Sequence, residues 1–314
     1  MAAKRTAFIV SSFLILPILY VFFYTLHFVV EKDTITEWLP RWDRIAIIGS
    51  IIVLERIYTY RYAVSQRAVL TRDLIANVVN LYGTGALTAL IVLPAVSFVP
   101  MYFLGRKALF ASPDQLGPLW LQIGTIFLIV SFFRYWMHRF QHENEFLWSF
   151  HAYHHSVTDL KAINGYVSHP VDYAFRNILI FILLGAVGFD AAAILISITA
   201  MAVITPFQPC GADIRGGILN YVVVTPEVHR WHHTTDVPKG YGHAVNYGVE
   251  FMLWDMLFGT YYLPKENGRS VQPMHIGHPG GLPDESNYAR MLLKPLGLWP
   301  SSWGERKQQQ VPAE

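Results

Sequence analysis

Histidine is the residue whose spacing in this chain carries chemistry. There are 13, and eight of them fall in two windows: His138-Arg-Phe-Gln-His142 followed by His151-Ala-Tyr-His154-His155, and His229-Arg-Trp-His232-His233. Positions i, i+3 and i+4 share one face of an α-helix. The spacing therefore predicts three helical faces bearing two, three and three imidazoles. Neutral imidazole ligates zinc, copper, iron and nickel, whereas calcium and magnesium take oxygen donors. Eight such donors suffice for two metal ions with about four protein ligands each, leaving positions for water or substrate. A lone His-x-x-x-His carries little weight, because two polar residues on a helix face are common. The His-x-x-His-His triplet occurring twice, each time beside a membrane-length apolar run, points to metal.

These faces need a scaffold, and composition indicates the solvent it meets. The 314 residues are 53% hydrophobic and 15% charged, with a mean hydropathy of +0.31. Soluble domains carry about 25% charged residues, so lipid is expected to be part of the surroundings. A net charge of +2 without a long basic run argues against a nucleic-acid partner. One cysteine, Cys210, excludes an internal disulfide framework and reads as a small buried residue.

A bilayer core is crossed by roughly 20 apolar helical residues. Ala7 to Val30 qualifies, and it is too long for a signal-peptide core and lacks a cleavage pattern. A second span is expected from Ile45 to Ala63, with Glu55 and Arg56 turned to protein or the interface. A third runs from Leu74 to Val99, and a fourth from Leu119 to Met137 leads straight into His138. Ile178 to Phe207 is too long for one straight span and too short for two. A helical hairpin dipping into the bilayer fits it best, with two short tilted spans as the alternative. Lys4 and Arg5 before the first span, and Arg61, Arg67 and Arg72 after the second, place both ends on the cytoplasmic side. The end of the fourth span and the histidine segments return to that side. The expected fold is an all-α integral-membrane helical bundle of about four transmembrane helices plus a hairpin, under a cytoplasmic histidine-rich helical cap. It divides into an N-terminal transmembrane helix and loop (1–44), one catalytic unit (45–300) and a polar tail (301–314).

The ordered series His138/His142, His151/His154/His155 and His229/His232/His233 resembles the fatty acid hydroxylase/sterol desaturase superfamily of membrane diiron oxygenases. Thr225-Pro226-Glu227-Val228 before the last triplet, His169-Pro170-Val171-Asp172, Asn246-Tyr247-Gly248 and Trp254-Asp255-Met256-Leu257-Phe258-Gly259-Thr260-Tyr261 add to the likeness. It covers roughly 45–300. The resemblance implies a four-helix membrane core with a cytoplasmic histidine site whose eight imidazoles hold two iron ions. It also implies O2 as co-substrate for hydroxylating or desaturating an unactivated C–H bond of a lipid, whether sterol, fatty acyl or related. One departure stands out. Many members carry a further histidine after the fifth apolar region, where this chain reads Phe207-Gln208-Pro209-Cys210-Gly211-Ala212-Asp213; either the site has fewer ligands or another residue substitutes, with His169 and His243 as the candidates. His275 and His278, in a Gly/Pro-rich tail, are expected in solvent, and His27 at the far end of the first span.

Neither a flavin or nicotinamide glycine fingerprint nor an iron–sulfur cysteine set is present, so electrons are expected from a ferredoxin- or cytochrome-type donor with its reductase. Metal-bound imidazoles usually donate their second N–H to a carboxylate or carbonyl. Asp159, Glu227, Asp236 and Asp255 are near enough in sequence, with Asp255 preferred. Trp136, Tyr153, Trp231 and Trp254 either shield the site from water or form an interfacial belt. Two rival readings remain open on the residues alone: a dizinc lipid hydrolase using metal-bound hydroxide, and a non-enzymatic haem- or metal-binding membrane protein. A transporter fits least, since the donors sit at helix ends rather than at the bilayer midplane.

Overall fold

The computed structural model describes residues 68–84, 108–110, 112–158, 160–278 and 288–297. The first and second expected spans, the third beyond Thr84, the tail from 301, His27 and Asp159 lie outside the described residues.

Eight α-helices appear among the described residues: α1 Ala68–Val78, α2 Leu119–Glu143, α3 Glu145–His151, α4 Pro170–Val187, α5 Ala191–Ile204, α6 Pro226–His232, α7 Leu253–Leu257 and α8 Tyr288–Leu293. A π-helical turn, Val79–Thr84, continues α1. The only paired strands described are β1 Lys265–Glu266 and β2 Arg269–Ser270, joined antiparallel. Asn267 (φ 49°) and Gly268 (φ 75°) supply the two left-handed positions their tight turn requires.

Among the described residues two helices are long and apolar enough to cross a membrane, α2 with 25 residues and α4 with 18. At 1.5 Å per residue α2 is about 37 Å long, so the apolar run from Leu119 to Met137 accounts for a bilayer core and His138 follows at its end. The apolar run expected at 178–207 folds as two helices, α4, which begins earlier at Pro170, and α5, an arrangement common to a dipping hairpin and to two short spans. Gly188 turns between α4 and α5 at φ 93°, where an added Cβ would lie 2.8 Å from the Ala108 Cβ. Caps fix both ends of the turn's helices. Pro170 starts α4 while Nδ1 of His169 accepts the Val171 N–H at 3.1 Å, and Asp190 accepts the Ala192 N–H at 2.7 Å to start α5.

Ile123, Ile126 and Val130 of α2 pack with Ile180 and Leu184 of α4 and with Ala193, Ile196 and Met201 of α5. Burying such side chains stabilises by roughly 1.5–3 kcal/mol each against water. Within a bilayer, where the alternative to this packing is lipid rather than water, its effect is mainly to fix the angle of α2. Arg134 on α2 pairs with buried Glu250, tying the helix to the segment that follows α6.

Candidate metal centre

His138 and His142 lie one turn apart near the end of α2, both buried, with ring centroids 5.2 Å apart. Asn144 then breaks the helix and restarts it, its side chain accepting the Leu147 N–H at 3.1 Å. The resulting α3 ends on His151. The expectation of one α-helical face for the first triplet needs adjusting here. His154 and His155 sit in a tight 3₁₀ turn, His154–Ser156, reached through Ala152 and Tyr153, which keep right-handed backbone angles. A 3₁₀ turn advances about 120° per residue instead of 100°, which separates His154 from His155 and directs them to different partners.

The last triplet rides on α6. Pro226 starts this helix, His229 and His232 lie on it, and His233 caps it by donating its N–H to the His229 carbonyl at 3.1 Å. Buried Glu227 fastens its first turn. That carboxylate accepts Gly216 N–H at 2.6 Å and Asn220 Nδ2 at 2.7 Å, and the Ser270 hydroxyl donates to its other oxygen.

The tertiary structure gathers all eight histidines, but not as four and four. His138, His142, His151, His155 and His232 form one set of donor nitrogens, and His154, His229 and His233 a second; within each set every donor atom lies within 4.8 Å of the others. The sets abut, with the rings of His155 and His233 stacked at 4.3 Å. Nε2 faces Nε2 at 3.1 Å between His138 and His151, at 3.1 Å between His155 and His232, and at 3.2 Å between His154 and His233. Two nitrogens each about 2.1 Å from a shared ion stand roughly 3.0–3.4 Å apart at bond angles from square to tetrahedral.

The opposite ring edges decide where the protons sit. Nδ1 of His138 faces the Tyr247 carbonyl at 2.8 Å, Nδ1 of His232 the Val245 carbonyl at 2.8 Å, and Nδ1 of His154 the Val167 carbonyl at 2.9 Å. A carbonyl oxygen can only accept, so each Nδ1 carries the proton and each Nε2 presents a lone pair. Nδ1 of His151 lies 3.6 Å from Oδ2 of Asp172. Lone pairs converging on common points are the arrangement that a cation satisfies, so the residues fit metal ions. Burial keeps the rings neutral, as ligation requires: it pulls His154 and His232 down to about 3 and holds His155, His229 and His233 well below the usual histidine range, with the neighbouring imidazoles adding to the effect in each case.

Asp255, the preferred acid, acts at one remove. Its carboxylate accepts the Tyr247 N–H at 2.6 Å, the Gly248 N–H at 2.7 Å and the Thr260 hydroxyl at 2.7 Å, which fixes the loop whose carbonyl holds His138. Glu227 holds α6 rather than a ring, and Asp236 pairs with exposed His275 at 3.1 Å. Among the described residues, the carboxylate paired with a ring of the donor sets is Asp172, buried at the start of α4, 3.6 Å from Nδ1 of His151. Gln141 and Arg176 donate to it, and Arg176 also donates to Ser168 at 2.9 Å. Its sequence signal was the acid that closes His169-Pro170-Val171-Asp172, beside a predicted apolar helix.

Neither candidate replacement histidine joins a donor set. His169 caps α4 through Nδ1 and donates from Nε2 to the Leu292 carbonyl at 3.1 Å, while His243 is exposed. The loop around Cys210 is buried, and Arg230 anchors it by donating to the Cys210 and Ala212 carbonyls at 3.0 and 2.6 Å. His278 is not in solvent as expected. It is buried and stacks on Trp148 at 5.7 Å, because the tail is drawn over α6 by Gly277 N–H donating to the His233 carbonyl at 2.9 Å. The aromatic rings against the histidines are Trp148 and Tyr247: Trp148 packs on His142 at 5.0 Å and His155 at 5.3 Å, and Tyr247 on His142 at 5.4 Å. Of the four expected aromatics, Tyr153 packs under Arg72, Trp231 on Tyr262, and Trp136 and Trp254 along α2.

Residues 123–260, which span this whole arrangement, match the model of the fatty acid hydroxylase family. Among characterised proteins the chain is similar to an ornithine lipid hydroxylase of Rhizobium tropici, 37% identical over 152 residues, covering 48% of this chain and 45% of that one. Sphinganine C4-monooxygenase 1 of Arabidopsis thaliana is 26% identical over 148 residues, 45% of this chain and 54% of the relative. Human alkylglycerol monooxygenase is 28% identical over 149 residues, 45% of this chain and 31% of the relative. The matched stretches thus span about half or less of these relatives' length. No solved structure matches the chain.

Proposed function

From the match of residues 123–260 to the fatty acid hydroxylase family, we propose that this chain is a membrane-bound, O2-dependent oxidoreductase that hydroxylates or desaturates a lipid. The observation that carries the reading is the pair of all-imidazole donor sets, buried except for half-buried His154, gathered at the end of a membrane-length helix. In this reading His138, His142, His151, His155 and His232 hold one iron and His154, His229 and His233 the other. When bound, the irons supply reductive O2 activation and oxidation of a C–H bond, with electrons from a ferredoxin- or cytochrome-type donor and its reductase.

The chain's own residues supply orientation and enclosure. The Tyr247, Val245 and Val167 carbonyls hold three Nδ1 protons on the outer ring edges, so Nε2 stays available. Trp148 and Tyr247 cover His142 and keep bulk water from that side. The three-donor set leaves more positions open than the five-donor set, which favours it as the side where O2 and substrate approach. The site faces the cytoplasm, the catalytic unit occupies 45–300, and the substrate arrives through the bilayer. The relatives act on an ornithine lipid, sphinganine and alkylglycerols by name, which supports a polar-headed lipid here.

Lipid mass spectrometry of cells with and without the gene tests this. A lipid differing by about 16 daltons (hydroxylation) or about 2 daltons (desaturation), formed only with O2 and by iron-loaded protein, is expected. Turnover undiminished without O2 in a zinc-loaded protein would replace the oxygenase with a hydrolase, and a Soret band without any lipid product would leave a haem-binding protein.

A further inference from the structure

Two short stretches after the hairpin lie side by side. Met252 N–H donates to the Val222 carbonyl at 3.1 Å, Val224 N–H donates to the Glu250 carbonyl at 3.1 Å, and Val223 bridges Phe251. Together they present a run of exposed apolar side chains. Ile218 is 80% exposed, Val222 52%, Leu257 65%, and Leu253 and Met256 each 44%. In α7 the exposed positions are i, i+3 and i+4, while Asp255 is fully buried. That segregation gives the short helix one apolar outer face and one polar inner face.

The inner side of this unit runs along α2. The Phe251 ring lies 6.2 Å from Phe127, Trp254 lies 5.1 Å from Phe132, and Phe258 lies 5.0 Å from Trp136. Trp254 also donates its Nε1–H to the Ser131 hydroxyl at 3.0 Å. At 1.5 Å per residue, these α2 positions sit roughly 16, 9 and 3 Å back from His138 along the helix. They belong to the portion of α2 that meets hydrocarbon when the helix spans. Its own outward side chains there, Leu128 and Phe133, are also exposed.

We propose that this unit, the turn Gly217–Tyr221 together with α7, is embedded in the membrane: Ile218, Val222, Leu253, Met256 and Leu257 contact lipid chains of the leaflet nearest the histidines. The occupant is the bilayer because the face is continuous with the outward side of α2 at the same depth. Non-helical backbone at that depth must have its polar groups satisfied within the protein. Toward that condition the segment has its cross-links to residues 222–224 and the Met256 N–H to Met252 and Phe258 N–H to Trp254 bonds. Its margins carry aromatic–basic pairs suited to an anionic interface. Lys265 Nζ lies 5.2 Å above the Tyr221 ring, and the Arg139 guanidinium 5.4 Å above Trp136. The inference rests on α2 crossing the membrane, as in the proposed function.

Labelled cysteine variants of the full chain in phosphatidylcholine/phosphatidylglycerol vesicles test it. Ile218→Cys and Leu257→Cys report on the unit, Leu128→Cys on the span, and Met274→Cys, at a position 77% exposed, on water. Buried Cys210 stays in place, and the unsubstituted chain gives the background labelling. Bimane at Ile218 and Leu257 should be quenched by doxyl groups on lipid chains and shielded from aqueous iodide, as at Leu128, with the reverse at Met274. Iodide quenching at Leu257 and Ile218 while Leu128 answers to the lipid quencher would overturn the proposal and leave the span intact. Protection from both quenchers, the pattern of a face covered by protein, would also overturn it. Absence of lipid quenching at Leu128 itself would remove the spanning premise and the proposal together.

Discussion

Oδ2 of Asp172 lies 3.6 Å from Nδ1 of His151, on the ring edge turned away from the donor set. An acid there favours the tautomer with its proton on Nδ1 and leaves Nε2 basic. Arg176 and Gln141 hold the carboxylate in place. Partners of this kind typically contribute about 10- to 100-fold to metal affinity or activity. Asp172→Asn is expected to lower iron affinity and turnover by that order, and also to lower the Tm of the metal-free protein, because Arg176 loses its buried charged partner. Asp172→Glu should restore part of the affinity. Chelator competition gives the affinity, and wild-type affinity in Asp172→Asn would remove the role.

The uneven split of the donors gives a stoichiometric prediction. Removing one ring from three leaves two, too few to hold an ion firmly, whereas removing one from five leaves four. His229→Ala should therefore carry about one iron per chain where the parent carries about two, while His232→Ala keeps close to two. Both should lose activity. Elemental analysis against protein concentration measures this, and equal metal loss in the two variants would argue against the five-and-three division.

His278 packs beneath the site on Trp148, which in turn backs His142 and His155. Its replacement should matter even though it belongs to neither donor set. His278→Ala is expected to cost about 1 kcal/mol, the scale of an aromatic pair beyond simple burial, and to reduce turnover. Thermal unfolding in detergent measures the first effect; an unchanged Tm would return His278 to the solvent-exposed tail predicted from composition.

Acid should unfold the metal-free protein early, and the sign follows from burial. Buried His154 and His232 titrate at about 3 in the folded chain against 6.5 when unfolded. Below 6.5 the unfolded state therefore takes up protons that the folded state refuses, and stability falls. The stabilisation from keeping these rings neutral is complete above that value and is lost progressively as pH drops toward 3. Bound metal should move the midpoint further down, because ligation competes with protons. Circular dichroism over a pH series, with and without iron, checks both; a flat profile from pH 6.5 to 4 in the metal-free form would contradict the burial of these rings.

The eight histidines were legible because their spacing is a local property. That two helices fill the long apolar run was legible from its length, although the start of α4 at Pro170 was not. The division into five and three was not, since it depends on how the 3₁₀ turn at His154 splits neighbours in sequence between different partners in space. Asp255 was found from sequence but its action through the Tyr247–Gly248 loop was not, because backbone hydrogen bonds leave no mark on residue type. Asp172 was quoted only as part of a motif, since its nearness to His151 exists only once α4 is docked. The tail misled for a physical reason. Glycine and proline around His275 and His278 read as solvated loop, yet the Gly277 N–H bonds to the end of α6 and draws His278 inside.

No carboxylate belongs to either donor set among the described residues. No side chain of the two sets is therefore of a kind that could bridge from one set to the other, as a bidentate acid can, and the gap between the sets is left to the backbone. The gap becomes a dimension of the architecture, like the opening of a calliper whose jaws are the turn after α3 and the end of α6. Between those jaws the rings of His155 and His233 stack. Anything that rotates α6 against the histidine turn, however remote from the donors, adjusts the instrument.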